Sequence, residues 1–156
     1  MERIHESNLI EGIDDPKEDK QSMVAWKWLK RQKKIGHYEI LKVQKMITIN
    51  QTNLFSNERG YYRDLAKVNV TVGGHVPPNY NLVPCLMDNW VLDFQDSVEP
   101  MEMHIRFEKI HPFVDGNGRT GRMLLWYHEN KLGITPTLIK SEERYEYYEL
   151  LRSKIW

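Results

Sequence analysis

The residues best suited to chemistry lie between His111 and Arg122, in the run HPFVDGNGRTGR. An imidazole takes up a proton near neutral pH, so His111 can act as a general base. Asp115 offers a hard carboxylate oxygen of the kind that holds Mg²⁺ where it bridges phosphates. Gly116, Asn117 and Gly118 come just before a helix expected from Arg119. Glycines let backbone amides turn toward a ligand, and the first turn of a helix carries unpaired N–H groups at its positive end. Arg119 and Arg122, at i and i+3, share one helical face and could both reach a polyphosphate. Singly, each residue has an ordinary explanation: a packed histidine, a helix-entry turn, surface arginines. A base, a metal ligand, an anion cradle and two cations in one short run describe a polyphosphate site.

Such a loop must be held between helices, and helix signals punctuate most of the chain. One or two helical turns are expected around Ser7 to Gly12. Pro16 opens a helix after Asp14 and Asp15, with Met23, Trp26, Leu29 and Val24 read as its inner face. The basic run Lys30-Arg31-Gln32-Lys33-Lys34 then suits a helix C-terminus facing solvent, before Gly36. The next helix is expected from His37 to about Asn50, carrying Ile40, Leu41, Val43, Met46 and Ile47. Val68, Val70 and Val72 alternate with Lys67, Asn69 and Thr71, and Gly73-Gly74 and Pro77-Pro78 follow. This predicts a small hairpin or edge strand over 64–84. Helices return at about Val83 to Phe94, Met101 to Ile110, Arg119 to Leu132, and from Ser141 onward, where Ser141 is a plausible cap ahead of Glu142 and Glu143. The expectation is a mainly helical domain spanning residues 1–156, with a small β-hairpin ahead of the motif.

Length and composition set outer bounds. A chain of 156 residues suits one core, and its 40% apolar and 28% charged content is ordinary globular usage. Lys plus Arg and Asp plus Glu both number 22, so no basic footprint supports nucleic-acid binding. The lone Cys85 excludes an intramolecular disulfide and a thiolate zinc cage, and is expected as a small buried or half-buried thiol. No apolar stretch has the length of a signal peptide or a membrane span. Glycosylation-like triplets at Asn50 and Asn69 are therefore read as chance, and a cytoplasmic address is expected, with no membrane partner.

The motif and the preceding HIRFEKI resemble the active-site region of the Fic family. From average residue frequencies, its pattern His-x-Phe/Pro-x-acid-Gly-Asn-Gly-Arg-x-x-Arg would arise by chance in about one chain in 10⁸ of this length. The resemblance implies a helical Fic fold and transfer of AMP from ATP, with Mg²⁺, to a Ser, Thr or Tyr hydroxyl of a target protein, self-modification included. His111 would deprotonate the hydroxyl and Asp115 would hold the metal. Gly116, Asn117 and Gly118 would cradle phosphate oxygens, Arg119 would neutralise the β-phosphate and Arg122 would grip the γ-phosphate. Phe113 would anchor the loop. Related Doc-type kinases carry Lys at the position of Gly118, so Gly-Asn-Gly-Arg favours AMP transfer over phosphorylation.

Three further segments extend the resemblance. Ser7-Asn8-Leu9-Ile10-Glu11-Gly12 is similar to the family's inhibitory pattern Ser/Thr-x-x-x-Glu-Gly/Asn, so residues 1–15 would form an N-terminal inhibitory segment. Ser7 and Glu11 share a helical face, and Glu11 could pair with Arg122. The strand-like segment bearing Val68, Val70 and Val72 is placed like the family's flap, where a target's backbone adds as an extra strand. Tyr147 and Tyr148 resemble the tyrosines supplied against adenine. Family members usually continue past the position of Trp156, so the far wall of the nucleotide pocket is expected from further chain or from a partner's surface, which leaves a homo-oligomer open. Two alternatives remain at this point: removal of AMP on the same fold, and a nucleotide-binding regulatory module that transfers nothing.

Overall fold

The computed structural model describes residues 1–155; Trp156, where the expected 1–156 boundary falls, lies outside the described residues. Seven α-helices form among the described residues: α1 (Glu2–Ile10), α2 (Pro16–Leu29), α3 (His37–Ile47), α4 (Val83–Asp96), α5 (Pro100–Ile110), α6 (Asn117–Lys131) and α7 (Arg144–Ile155). The expected mainly helical class is met.

Local chemistry explains the boundaries. Asp15 caps α2 by accepting the Lys17 N–H at 2.8 Å, and Pro16 occupies the first helical position, where its missing donor costs nothing. The Glu39 carboxylate turns back to accept the Gly36 N–H at the start of α3. Pro100 opens α5.

The centre of the molecule is α6, which packs against α5, α3, α2 and α1. A helix surrounded on all sides has no solvent face to fill with charge. Its middle is accordingly apolar, with Met123, Leu124 and Trp126 in the main core beside Leu29, Ile40, Val43, Met87, Trp90 and Phe107. Its first half is polar and equally buried, with Asn117, Arg119, Thr120 and Arg122. Polar groups are rarely buried unless they are partnered, so each of these side chains needs a partner from the surrounding elements. Gly121 lets α5 approach it: a Cβ there would stand 2.5 Å from the Glu108 carboxylate and 3.1 Å from both His104 and Phe107.

Four local expectations are corrected. Of the hairpin expected over 64–84, only one antiparallel bridge forms, Val72 with His75, closed across Gly73-Gly74 by bonds of 2.9 and 2.8 Å. Among the described residues no second strand lies beside Val68 and Val70, so alternation alone produced no ladder. Val24 is 52% exposed, because the inner stripe of α2 runs through Ser22, Ala25 and Leu29. Cys85 is exposed, because Val83, Met87, Trp90 and Phe94 occupy the buried stripe of α4. Ser141 caps nothing with its hydroxyl; it begins a single 3₁₀ turn, and its N–H donates to Glu6 of α1 at 2.6 Å. No helix among the described residues is long and apolar enough to cross a membrane.

Candidate active site

The loop between α5 and α6 is built by two left-handed residues. His111 ends α5 at φ 50°, and Gly116 starts α6 at φ 82°. Gly116 is required twice over, since its φ is costly for other residues and a Cβ would approach Thr48 to 3.0 Å. Between them Phe113 is fully buried, its ring 5.4 Å from Tyr62 and 6.4 Å from Phe107; it anchors the loop as expected. Asn117 latches the loop: its side chain accepts the Phe113 N–H at 2.8 Å and donates to the Phe113 carbonyl at 2.9 Å. Both side-chain groups are thereby engaged, leaving its backbone N–H for any ligand.

The backbone N–H groups of Asn117, Gly118 and Arg119 carry no hydrogen bond among the described residues, the first helical bond running from Thr120 to Gly116. They form the anion-attracting end of α6. Two adjoining cavities of about 270 and 260 Å³ open here. The first is bordered by Glu108, Arg122, Tyr147, Tyr148 and the flap residues Val72, Gly73 and His75. Around the second lie Thr71, Val114, Asp115, Gly116, Asn117 and Arg119. Glu11, Val72, His111 and Gly118 border both, so imidazole, helix end and flap tip share one cleft. Val68 and Val70 stand back from it.

Burial pushes the His111 imidazole down to about 4; a bond to the Glu108 carbonyl and the charge of Glu11 oppose this, while Arg63 and His75 reinforce it. The ring is therefore neutral at pH 7. The Glu108 carboxylate lies 3.9 Å from His111 Nδ1. Burial raises that carboxyl to about 7, against the pull of Arg122 and with a push from Glu11.

The two arginines have diverged. Arg122, 1% exposed, donates to the Ser7 hydroxyl at 2.8 Å, to the Ser7 carbonyl at 3.0 Å and to Glu11 Oε1 at 2.6 Å. Burial works against its charge, but Glu11 and the neighbouring anions hold it protonated. Arg119 turns the other way, donating to the Ile47 carbonyl at 3.1 Å and lying 3.7 Å from Glu18. Gly118 is the seat of the Glu11 carboxylate: a Cβ there would lie 2.2 Å from Oε1. The first of the paired tyrosines, Tyr147, is buried, its hydroxyl 2.8 Å from His104 Nε2 and its ring 5.7 Å from the Arg122 guanidinium. Tyr148 is exposed and donates to the Ile10 carbonyl at 3.2 Å.

Asp115 accepts from its neighbour's backbone, Gly116 N–H, at 2.6 Å and from Gln51 at 3.0 Å. Among the described residues no group of three His, Cys, Asp or Glu could enclose a metal ion. A single hard carboxylate at the cleft edge fits an ion that takes its remaining ligands from phosphate oxygens.

Several residues that shape the site went unread in the sequence. Gln44 bridges Asp115, Glu58 and Gly60 through its amide, and Gln51 orients Asp115. Arg63 binds the backbone around His111. Glu108, one helical turn before His111, is the one that spacing could have revealed.

The model of the Fic/DOC family matches residues 40–128, more than half of the chain, and the chain belongs to that family. It is 36% identical over 103 residues to "Protein adenylyltransferase Fic" of Drosophila grimshawi, covering 61% of this chain and 21% of that protein. Against the protein of the same name from Drosophila mojavensis it is 37% identical over 91 residues, covering 53% and 18%. The chain thus spans about a fifth of the length of the curated relatives it matches. Its fold is shared with a Fic domain containing signaling protein from Bacteroides thetaiotaomicron, at TM-score 0.81 and 20% identity, covering 97% of this chain and 69% of that one. It is also shared with Fic-1 from C. elegans, at TM-score 0.72 and 22% identity, covering 98% and 54%.

Proposed function

We propose that this chain is a protein adenylyltransferase, moving AMP from ATP to a side-chain hydroxyl of a target protein, and that Glu11 restrains it. The observation that carries this reading is one cleft in which a neutral imidazole, His111, faces the unpaired N–H groups at the start of α6. The relatives named as protein adenylyltransferases support it.

Nδ1 lies on the Glu108 side, 3.9 Å from that carboxylate, so the proton-accepting lone pair is assigned to Nε2. His111 takes the proton of the entering hydroxyl there, and the oxygen attacks the α-phosphorus. The bond from that phosphorus to the bridging oxygen breaks, and pyrophosphate leaves. The backbone amides of Asn117 and Gly118 stabilise charge on the phosphate oxygens, Arg119 borders the cleft beside them, and Arg122 serves the terminal phosphate. Asp115 would hold Mg²⁺, which when bound supplies charge neutralisation to the phosphates. Tyr147 and Tyr148 flank the adenine side, and the edge around Val72 receives the target's backbone.

While Glu11 occupies Arg122, the terminal phosphate lacks its partner and the α-phosphorus is misaligned for attack. Incubation with ATP labelled at the α-phosphate, Mg²⁺ and a host lysate tests the whole reading. Label covalently attached to protein is expected. Label held without covalent transfer would instead mean a binding module, and release of AMP from a pre-modified protein would mean the reverse reaction.

A further inference from the structure

Arg63 lies outside the motif, has no exposed surface, and forms no ion pair among the described residues. A buried cation in that position is costly unless its donors are met. Here they are met by carbonyls alone. Nε donates to His111 at 2.8 Å, Nη1 to Val68 at 3.2 Å, and Nη2 to Pro78 at 2.5 Å and Ile110 at 3.3 Å. The backbone adds a bond from Arg63 N–H to the Pro112 carbonyl at 2.9 Å and one from Val68 N–H to the Arg63 carbonyl at 3.1 Å. One planar fork therefore grips both feet of the flap, Val68 and Pro78, together with the turn that carries His111.

We propose that Arg63 is a positioning residue that locks the flap to the His111 turn, so that a hydroxyl presented at the flap edge meets the imidazole in register. This rests on the adenylyl-transfer reading for its chemical consequence, but not for its geometry. His111 holds a left-handed φ of 50°, a conformation that persists in a non-glycine residue only when its surroundings impose it. The Arg63 bond to the His111 carbonyl fixes that peptide. Between the gripped feet, the backbone groups of Val70 and Thr71 have no hydrogen bond among the described residues, leaving an edge to which an extended segment can add. Arg63 sets the distance between this edge and the base. A lysine in its place offers donors from one point and cannot span four carbonyls in three directions.

The test compares Arg63→Lys and Arg63→Gln in the Glu11→Gly chain, with α-labelled ATP and the chain itself as acceptor. The rate per folded molecule at saturating ATP should fall about 10- to 100-fold, as misplacement by about 1 Å does. The KM for ATP should not change, because Arg63 does not border the cleft. Amide exchange, read without nucleotide, should rise together in 68–75 and 111–114 and stay unchanged in α2 and α3. An unchanged rate in a folded Arg63→Lys chain would overturn the proposal, as would exchange rising everywhere or in one segment only. If the Glu11→Gly chain labels neither itself nor lysate protein, the adenylyl-transfer reading fails, and paired exchange still decides whether Arg63 couples the two segments.

Discussion

His111 is pulled in two directions, and the balance decides which proton form meets a substrate. Burial removes water from the imidazolium and lowers it to about 4, while the Glu108 carbonyl bond favours the protonated ring. At pH 7 the neutral, proton-accepting form is therefore in place. Removing the base should be decisive: His111→Ala is expected to lose at least about 10²-fold in AMP incorporation, with ATP binding and the melting transition retained. Asp115 has a different role in the proposed reaction, and Gln51 and the Gly116 N–H fix its carboxylate. Asp115→Ala should shift the Mg²⁺ needed for half-maximal transfer upward or abolish activity, read by titrating Mg²⁺ at fixed ATP.

At the scale of elements, α1 and α6 form a latch. Ser7 and Glu11 are one turn apart, and together they take three donor contacts from the buried Arg122. The absent side chain at Gly118 makes room for the carboxylate. On the proposed reading the same guanidinium would serve the terminal phosphate, so latch and substrate would compete. Glu11→Gly is expected to raise the initial rate of α-labelled incorporation by about 5- to 150-fold, the range of a 1–3 kcal/mol coupling. Glu11→Gly with His111→Ala should be silent, because freeing Arg122 does not replace the base. Arg122→Ala should not be activated, because it removes latch and phosphate grip together. Equal rates for the wild type and Glu11→Gly would make Glu11 an ordinary acid of the cleft.

Across the whole molecule, the buried polar half of α6 and its neighbours tie stability to pH. Burial holds His104 at about 3 and His111 at about 4, against an ordinary value of 6.5. Below pH 6.5 the unfolded chain binds protons that the folded imidazoles refuse, so stability falls as pH drops toward 4. Glu108 acts oppositely: raised to about 7 from 4.5, it binds a proton in the folded state first and adds stability over 7 to 4.5. Two imidazoles against one carboxyl leave one net proton favouring the unfolded state. The denaturant midpoint should therefore correspond to about 1–2 kcal/mol less stability at pH 5 than at pH 6.5. His104→Asn should flatten that slope, as measured by urea unfolding at both pH values.

Much of this was legible in the sequence because its signals are local. The HPFVDGNGRTGR run carries its own turn chemistry, with Gly116 at the left-handed entry to α6. The helix starts read at Pro16 and His37 hold, the one read at Met101 comes one residue earlier at Pro100, and Ser7 with Glu11 share a face by the helical period alone. Other features depended on what lies across space. Alternation at Val68, Val70 and Val72 predicts a strand only if a partner strand is beside it, and the fold supplies one bridge instead. The i and i+3 spacing of Arg119 and Arg122 fixed their common helix, but α1 claimed one guanidinium while the end of α3 and Glu18 of α2 claimed the other. Arg63 and Gln44 have no local signature, because their partners are carbonyls brought near by chain separated from them by up to 71 residues. A side chain's type and its neighbours along the helix are written in the sequence; which buried donor meets which distant carbonyl is decided only when the helices pack, since burial is what makes each of those bonds obligatory.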